Sequence, residues 1–353
     1  YAKIVAERFG ADHHAILASP SIVDLLPKIV WHLDEPIADP AAITSYLICK
    51  AAREEVTVLL SGQGGDEIFG GYRVHLTDRL SRPLHALPRG VVRSGLVPLL
   101  DLLPKIRERI PGVRPGKVMA YHRYLRKLLM GAHYPRDSRY VYHRSYYPPG
   151  EQARLYSTDF ARRVAGLDAY ESHLRYLRES EDATFVDQML YLDQKTFLPE
   201  LNLAYSDKTS MAASVEVRVP LLDQELATFM RGVPADMKIR RMKQKYLFKK
   251  AMEGILPHDV IWRGKAGFGA PIRNWLHGEL KPLIDDLLSE TSLRQRGYFD
   301  PAIIARMRED DRTGTADHAY RLWALMTLEI WMRTFVDRRV VKAGSPPAEA
   351  IPA

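Results

Sequence analysis

The chain has 353 residues and carries 51 lysines and arginines against 43 aspartates and glutamates, a net charge of +8. Its 46% hydrophobic content is enough for a sizeable core, and no apolar run reaches the roughly 18 residues of a membrane-spanning helix. A lone cysteine, Cys49, excludes an intramolecular disulfide framework; it sits in an apolar run, reads as a core residue, and leaves a cytoplasmic setting as the expectation.

In chain order, apolar spacing predicts helices over Tyr1–Phe9, Ser21–His32 and Ala41–Glu55 and strands over His13–Leu17 and Val56–Leu60. That alternation is the rhythm of a parallel sheet. The β-branched, non-alternating run from Val56 to Leu60 suits a strand covered on both faces. These elements form the expected nucleotide-binding α/β core, residues 1–75. A basic stretch rich in Pro, Arg and Tyr follows over 76–183 and reads as helices and loops. Residues 184–340 alternate amphipathic helices with two polar motifs, and 341–353 is a Pro/Ala tail expected to be disordered.

The most informative segment is Ser61-Gly62-Gln63-Gly64-Gly65-Asp66-Glu67-Ile68-Phe69-Gly70-Gly71-Tyr72, at the carboxyl end of the second strand. Ligands collect at strand ends in open α/β sheets, and glycines let backbone N–H groups approach phosphate oxygens. Ser61, Gly62, Gly64 and Gly65 are therefore the candidate phosphate cradle. Asp66 is the candidate Mg²⁺ ligand, with Glu67 supporting it. A tight turn capped by Asp66 is the alternative. The segment matches neither common nucleotide loop, since the chain has no Gly-x-x-x-x-Gly-Lys-Ser/Thr and Glu67 replaces the third glycine of a dinucleotide fingerprint.

Further on, Ile239, Met242, Tyr246 and Leu247 recur at helical spacing within Lys238–Lys250. The basic residues there read as the solvated face of an amphipathic helix in preference to an electrostatic footprint for nucleic acid. Asp207, Glu216, Arg218 and Asp223 stand beside apolar residues and are expected to form an internal ion-pair network. Gly264 and Gly267 flank Lys265, a pattern suited to a loop that closes over a substrate.

The segment from Ser61 to Tyr72 resembles the Ser-Gly-x-Gly-x-Asp-Glu-x-Phe-x-Gly-Tyr signature of the asparagine synthetase family. The likeness continues through Asp34-Glu35-Pro36-Ile37-Ala38-Asp39-Pro40, Asp207-Lys208-Thr209-Ser210-Met211, Glu216-Val217-Arg218-Val219-Pro220-Leu221-Leu222-Asp223 and Trp262–Pro271. The resemblance implies a partial doubly wound parallel sheet of the PP-loop ATPase type, followed by a largely helical region. It implies an ATP- and Mg²⁺-dependent synthetase that activates a carboxylate, aspartate by family habit, as an acyl-adenylate amidated by glutamine-derived ammonia. Lys265 would be the catalytic cation and Lys245 would lie near the nucleotide.

Two family features are absent. Nothing before Val56 reads Ser-Gly-Gly-x-Asp-Ser, and no N-terminal glutaminase cysteine is present, so the chain is expected to be a fragment that is inactive alone. Gln63 stands where asparagine-forming members usually carry an acid, and an amide orients but cannot act as a carboxylate base. That leaves open an amidotransferase or β-lactam-synthetase-like relative with another acceptor, and a non-catalytic basic-surface protein. The expected partners are small molecules and a separate glutaminase domain, without nucleic acid or membrane; a homodimer is left open.

Overall fold

The computed structural model describes residues 1–15, 21–102, 115–148, 150–264 and 270–338. These fall into two compact units, each assembled from separate stretches. The first joins Tyr1–Tyr72 to Ser180–Pro271; the second joins Arg73–Glu179 to the residues from Ile272 onward. The stretch 184–340 is thus divided between the units at Pro271 and Ile272.

The first unit opens with three helices, α1 (Ala2–Phe9), α2 (Ile22–Leu33) and α3 (Ala41–Ala52), close to the periodicities that predict them. Residues 13–15 are irregular, and Ile16 and Leu17 lie outside the described residues, so no strand is described there. Strand β1 (Val58–Leu60) runs into helix α4 (Gly65–Phe69). The second stretch adds α5 (Phe185–Lys195), α6 (Ala204–Met211), β2 (Glu216–Arg218), α7 (Gln224–Gly232) and α8 (Tyr246–Ala251).

β1 and β2 pair in parallel, with Val58 opposite Glu216, Leu59 opposite Val217 and Leu60 opposite Arg218. The described sheet has these two strands alone, smaller than the doubly wound sheet expected. β1 is also not the buried strand that its composition suggests. Val58 is 41% and Leu60 73% exposed, because no described part of the chain covers those side chains.

Helix α6 packs along α3, with Thr209 Oγ1 on Ser45 Oγ at 3.0 Å, and against α2, where Lys208 Nζ donates to the Leu33 carbonyl at 2.6 Å. Cys49 is buried on α3 with its thiol pushed up by that burial, as expected of a core cysteine. A second contact layer holds α4. Ile68, Phe69, Met230 and Val233 are buried together against Leu221, Leu222, Leu247 and Phe248, and the rings of Phe69 and Phe248 stack at 4.7 Å.

The expected amphipathic helix over Lys238–Lys250 does not form as one element. A short helix ends at Lys238, Arg240 and Lys243 close a tight antiparallel turn, and α8 begins only at Tyr246. Arg241 and Lys245 adopt left-handed backbone, φ 54° and 52°, which interrupts a right-handed helix at both positions. Ile239 is consequently buried while Met242 is half exposed.

The named elements of the second unit are helices, with one isolated antiparallel bridge between Tyr156 and Phe299 among its described residues. Its helix Ala319–Trp331 packs on Ile272–His277 and Lys281–Leu287, burying Trp323.

Candidate functional site

The strand-end turn is built by packing as much as by hydrogen bonding. Ser61 N–H donates to the Arg218 carbonyl at 2.8 Å, so β1 hands its ladder directly to the turn. Gly64 has φ +83°, and a Cβ there would lie 2.1 Å from Leu222 Cδ2; one on Gly65 would lie 2.8 Å from Leu221 Cδ1. These two glycines let α4 settle on the Pro220–Leu222 segment. Gly62 is different, since a Cβ there would meet nothing within 4 Å. Of the four expected cradle residues, Gly62 is the one whose backbone is open, and Ser61 Oγ is engaged locally by Gln63 N–H at 3.4 Å.

Adjacent helical residues project about 100° apart, which sorts the two acids of α4. Glu67 is 1% exposed. Its Oε1 accepts from Tyr72 Oη at 2.6 Å and from Asn202 Nδ2 at 2.7 Å, and its main-chain carbonyl accepts from Gln194 Nε2 at 3.2 Å. A buried carboxylate requires such donors, so Glu67 is part of the frame and not a free metal ligand. Asp66 turns instead toward Lys245, whose Nζ lies 2.9 Å from Asp66 Oδ1 with both side chains one-quarter exposed. The pair is tightly enclosed: a Cβ on Gly71 would fall 1.7 Å from Asp66 Oδ1 and 2.2 Å from Lys245 Cε. The left-handed backbone at Lys245 costs of order 1 kcal/mol and delivers the ammonium to this point.

Gln63 Nε2 donates to the Asn202 carbonyl at 3.2 Å, while its Oε1 is buried and accepts no hydrogen bond among the described residues. Beside it, burial and then the Asp39 carboxylate push the Tyr205 phenol up to about 12, opposed by a hydrogen bond from Gln63. Asp39 is itself raised by burial, with Ala41 N–H donating to its Oδ1 at 2.9 Å as the opposing influence. Asn202, Gln194, Tyr205 and Asp39 are site neighbours that the sequence reading does not select. A signal for Asn202 exists only in three dimensions, since a π-helical turn over Leu198–Leu203 precedes α6 and such turns recur at functional sites.

The other expected supporting residues do not form an internal network. Glu216 and Arg218 pair with each other at 2.7 Å on an exposed strand, and Asp207 is exposed. Asp223 is an exposed N-cap, its Oδ1 accepting from Leu226 N–H at 3.0 Å. The apolar neighbours of Glu216 and Arg218 belong to a strand with exposed alternate positions, which is why these charges meet water. Lys265 lies outside the described residues.

Among the described residues no group of three or more His, Cys, Asp or Glu is arranged to hold a metal. Asp66 as a single carboxylate fits Mg²⁺, which commonly binds through one or two carboxylates together with substrate phosphates.

The described residues are mostly helical with a small parallel sheet of two strands that ends in a glycine turn, an arrangement consistent with the PP-loop type fold of the family that the chain matches. The sequence model described as Asparagine synthase matches residues 1–333, and the chain belongs to that family. It is 34% identical over 345 residues to a putative glutamine-hydrolysing asparagine synthetase of Mycobacterium tuberculosis, covering 97% of this chain and 49% of that protein. It is 31% identical over 346 residues to asparagine synthetase [glutamine-hydrolyzing] 1 of Bacillus subtilis, covering 96% and 50%. A more distant similarity, 23% over 321 residues, is to the amidase chry2 of Gibberella zeae, covering 85% and 45%. The chain spans about half the length of these curated relatives.

Proposed function

We propose that the protein containing this chain uses ATP to activate a carboxylate, with aspartate the leading substrate, and converts it to an amide with ammonia released from glutamine elsewhere in the protein. The observation that carries this reading is the Asp66–Lys245 ion pair at the mouth of the glycine turn, beside the open backbone of Gly62. In the reaction a substrate carboxylate oxygen bonds to the α-phosphorus as the bridge to the β-phosphate breaks. Pyrophosphate leaves, and ammonia then displaces AMP from the acyl carbon. Charge builds on phosphate oxygens first, and preorganised donors there supply most of the rate.

Asp66 would hold Mg²⁺, which offsets the phosphate charge when bound. Lys245 supplies a fixed ammonium on the same side, and Gly62 N–H a backbone donor. Gln63 orients through its amide and cannot serve as the base. Lys265, by resemblance, is the mobile cation that follows the charge from phosphate to acyl oxygen. Exposed Val58 and Leu60 on β1 support a further reading, that a segment of the whole protein outside this chain covers the strand and completes the phosphate site.

The test is carboxylate-dependent ATP–pyrophosphate exchange in protein extended upstream of Tyr1. Exchange should appear with aspartate and fall at least 10²-fold in Asp66→Asn, the scale of losing a preorganised charge contact. Lys265→Ala should lower kcat on the order of 10²–10³-fold with KM for ATP little changed, the pattern of a contact made as charge develops. Unaltered exchange in Asp66→Asn would refute the site.

A different acceptor is the second reading, favoured by Gln63 and by the amidase name of a fungal relative. Gln63→Glu should raise aspartate-dependent exchange if aspartate is the substrate, and lower exchange with the true substrate if it is not.

A further inference from the structure

The turn that delivers Lys245 carries more cationic and donor capacity than Asp66 uses. Lys243 Nζ lies over the Trp262 indole at 4.8 Å from its centroid and Lys249 Nζ over the same ring system at 5.4 Å. The indole is fixed by its edge. Glu253 accepts a hydrogen bond from Trp262, and the charge of Glu253 is met by Lys250. Trp262 is therefore a platform that seats two ammonium groups.

Those two groups are crowded with a third. Burial, then Lys245 and then Lys243, hold the Lys249 ammonium below the ordinary lysine range. Crowding like charges costs stability unless an anion offsets it. Between Lys243 and Lys245, Gln244 Nε2 is buried and donates to no acceptor among the described residues, a cost of the kind that a ligand oxygen removes. Left-handed backbone at Arg241 and Lys245 brackets this segment, and strain of this sort concentrates where a ligand is clamped.

We propose that Lys243, Gln244 and Lys249, seated on Trp262, form a receiving site for inorganic pyrophosphate next to the Asp66–Lys245 pair. A condensed diphosphate carries enough negative charge to answer three ammonium groups, and its terminal oxygens accept from both lysines and the Gln244 amide. The inference rests on the carboxylate-activating reading, in which pyrophosphate is the first product, and gives that product a place to move once the α–β bridge has broken.

The experiment titrates the 353-residue chain with magnesium pyrophosphate and, separately, with orthophosphate at equal ionic strength. Calorimetry reads affinity, and the change in indole fluorescence reads the site. Wild type should bind pyrophosphate at least tenfold more tightly than orthophosphate. Lys243→Gln and Lys249→Gln should each weaken pyrophosphate about tenfold, the scale of one charge-assisted hydrogen bond, and Gln244→Leu should weaken it several-fold. Trp262→Phe should abolish the fluorescence change while leaving the far-ultraviolet circular dichroism of the fold intact.

Binding that falls in Lys245→Gln but not in Lys243→Gln or Lys249→Gln would overturn this inference and leave the carboxylate-activating reading standing. Equal affinity for orthophosphate and pyrophosphate would reduce the cluster to a general cationic patch and overturn it as well. Loss of carboxylate-dependent exchange in the extended protein is the separate result that would remove the reading beneath it.

Discussion

Gly62 and Gly64 stand two residues apart in one motif, and the structure gives them opposite reasons to be glycine. Gly64→Ala must hold a left-handed backbone, costing about 1–2 kcal/mol for an L-residue. Its Cβ must also displace Leu222, which would lie 2.1 Å away, and such overpacking adds about 1–3 kcal/mol. The sum is about 2–5 kcal/mol. Gly62→Ala meets open space without a left-handed φ, so reduced unfolded-state entropy should leave stability unchanged or raised by about 0.4–1 kcal/mol. Urea unfolding followed by circular dichroism, with Leu222→Ala as the second arm of a double-mutant cycle, separates the terms. Leu222→Ala should recover the packing share of the Gly64→Ala loss and none of the backbone share. In the extended protein Gly62→Ala should weaken ATP binding despite its intact fold. The reasoning fails if Gly64→Ala is as stable as wild type, if Gly62→Ala loses comparable stability, or if Leu222→Ala shows no coupling.

Asn202→Ala removes the 2.7 Å donor to buried Glu67 and should cost about 2 kcal/mol in urea unfolding, the scale of a hydrogen bond to a charged group; Tyr72 alone would then face the carboxylate. His143 has its pKa lowered from 6.5 to about 3, chiefly by burial and then by Lys127 and Arg139. Between those pH values the unfolded chain binds a proton that the folded chain refuses, so stability is lost as pH falls from 6.5 toward 3, by up to about 1.4 kcal/mol per pH unit. Replacing His143 with Gln should flatten that slope in pH-dependent urea unfolding. Cys49, buried with its thiol pushed up, should resist maleimide at neutral pH in the folded chain and react once urea unfolds it.

The sequence carries α1, α2, α3 and the strand-end turn plainly, because period and turn chemistry are local. It carries burial less well. The run Val56–Leu60 has the composition of a covered strand, yet coverage depends on what lies against it, and nothing described in this chain does so at Leu60. The basic stretch fails for a related reason. Ile239, Met242, Tyr246 and Leu247 keep helical spacing, but Arg241 and Lys245 take left-handed backbone that no propensity scale assigns to them, and the spacing loses its meaning at each.

The acids show most clearly what local reading cannot separate. Glu67, Glu216 and Asp223 each stand next to an apolar residue in the chain, yet only Glu67 is buried. Its partners Gln194 and Asn202 come from the second stretch of the unit, more than a hundred residues away in the chain, so burial of Glu67 is a property of how α4 docks against that stretch. Once Glu67 is committed inward, the 100° step of the helix turns Asp66 outward to Lys245. The buried acid thereby sets the direction of its neighbour, so of the two acids that follow the glycine turn one holds the frame and the other meets Lys245. Loosening Glu67 should disturb Asp66 even though Asp66 is untouched.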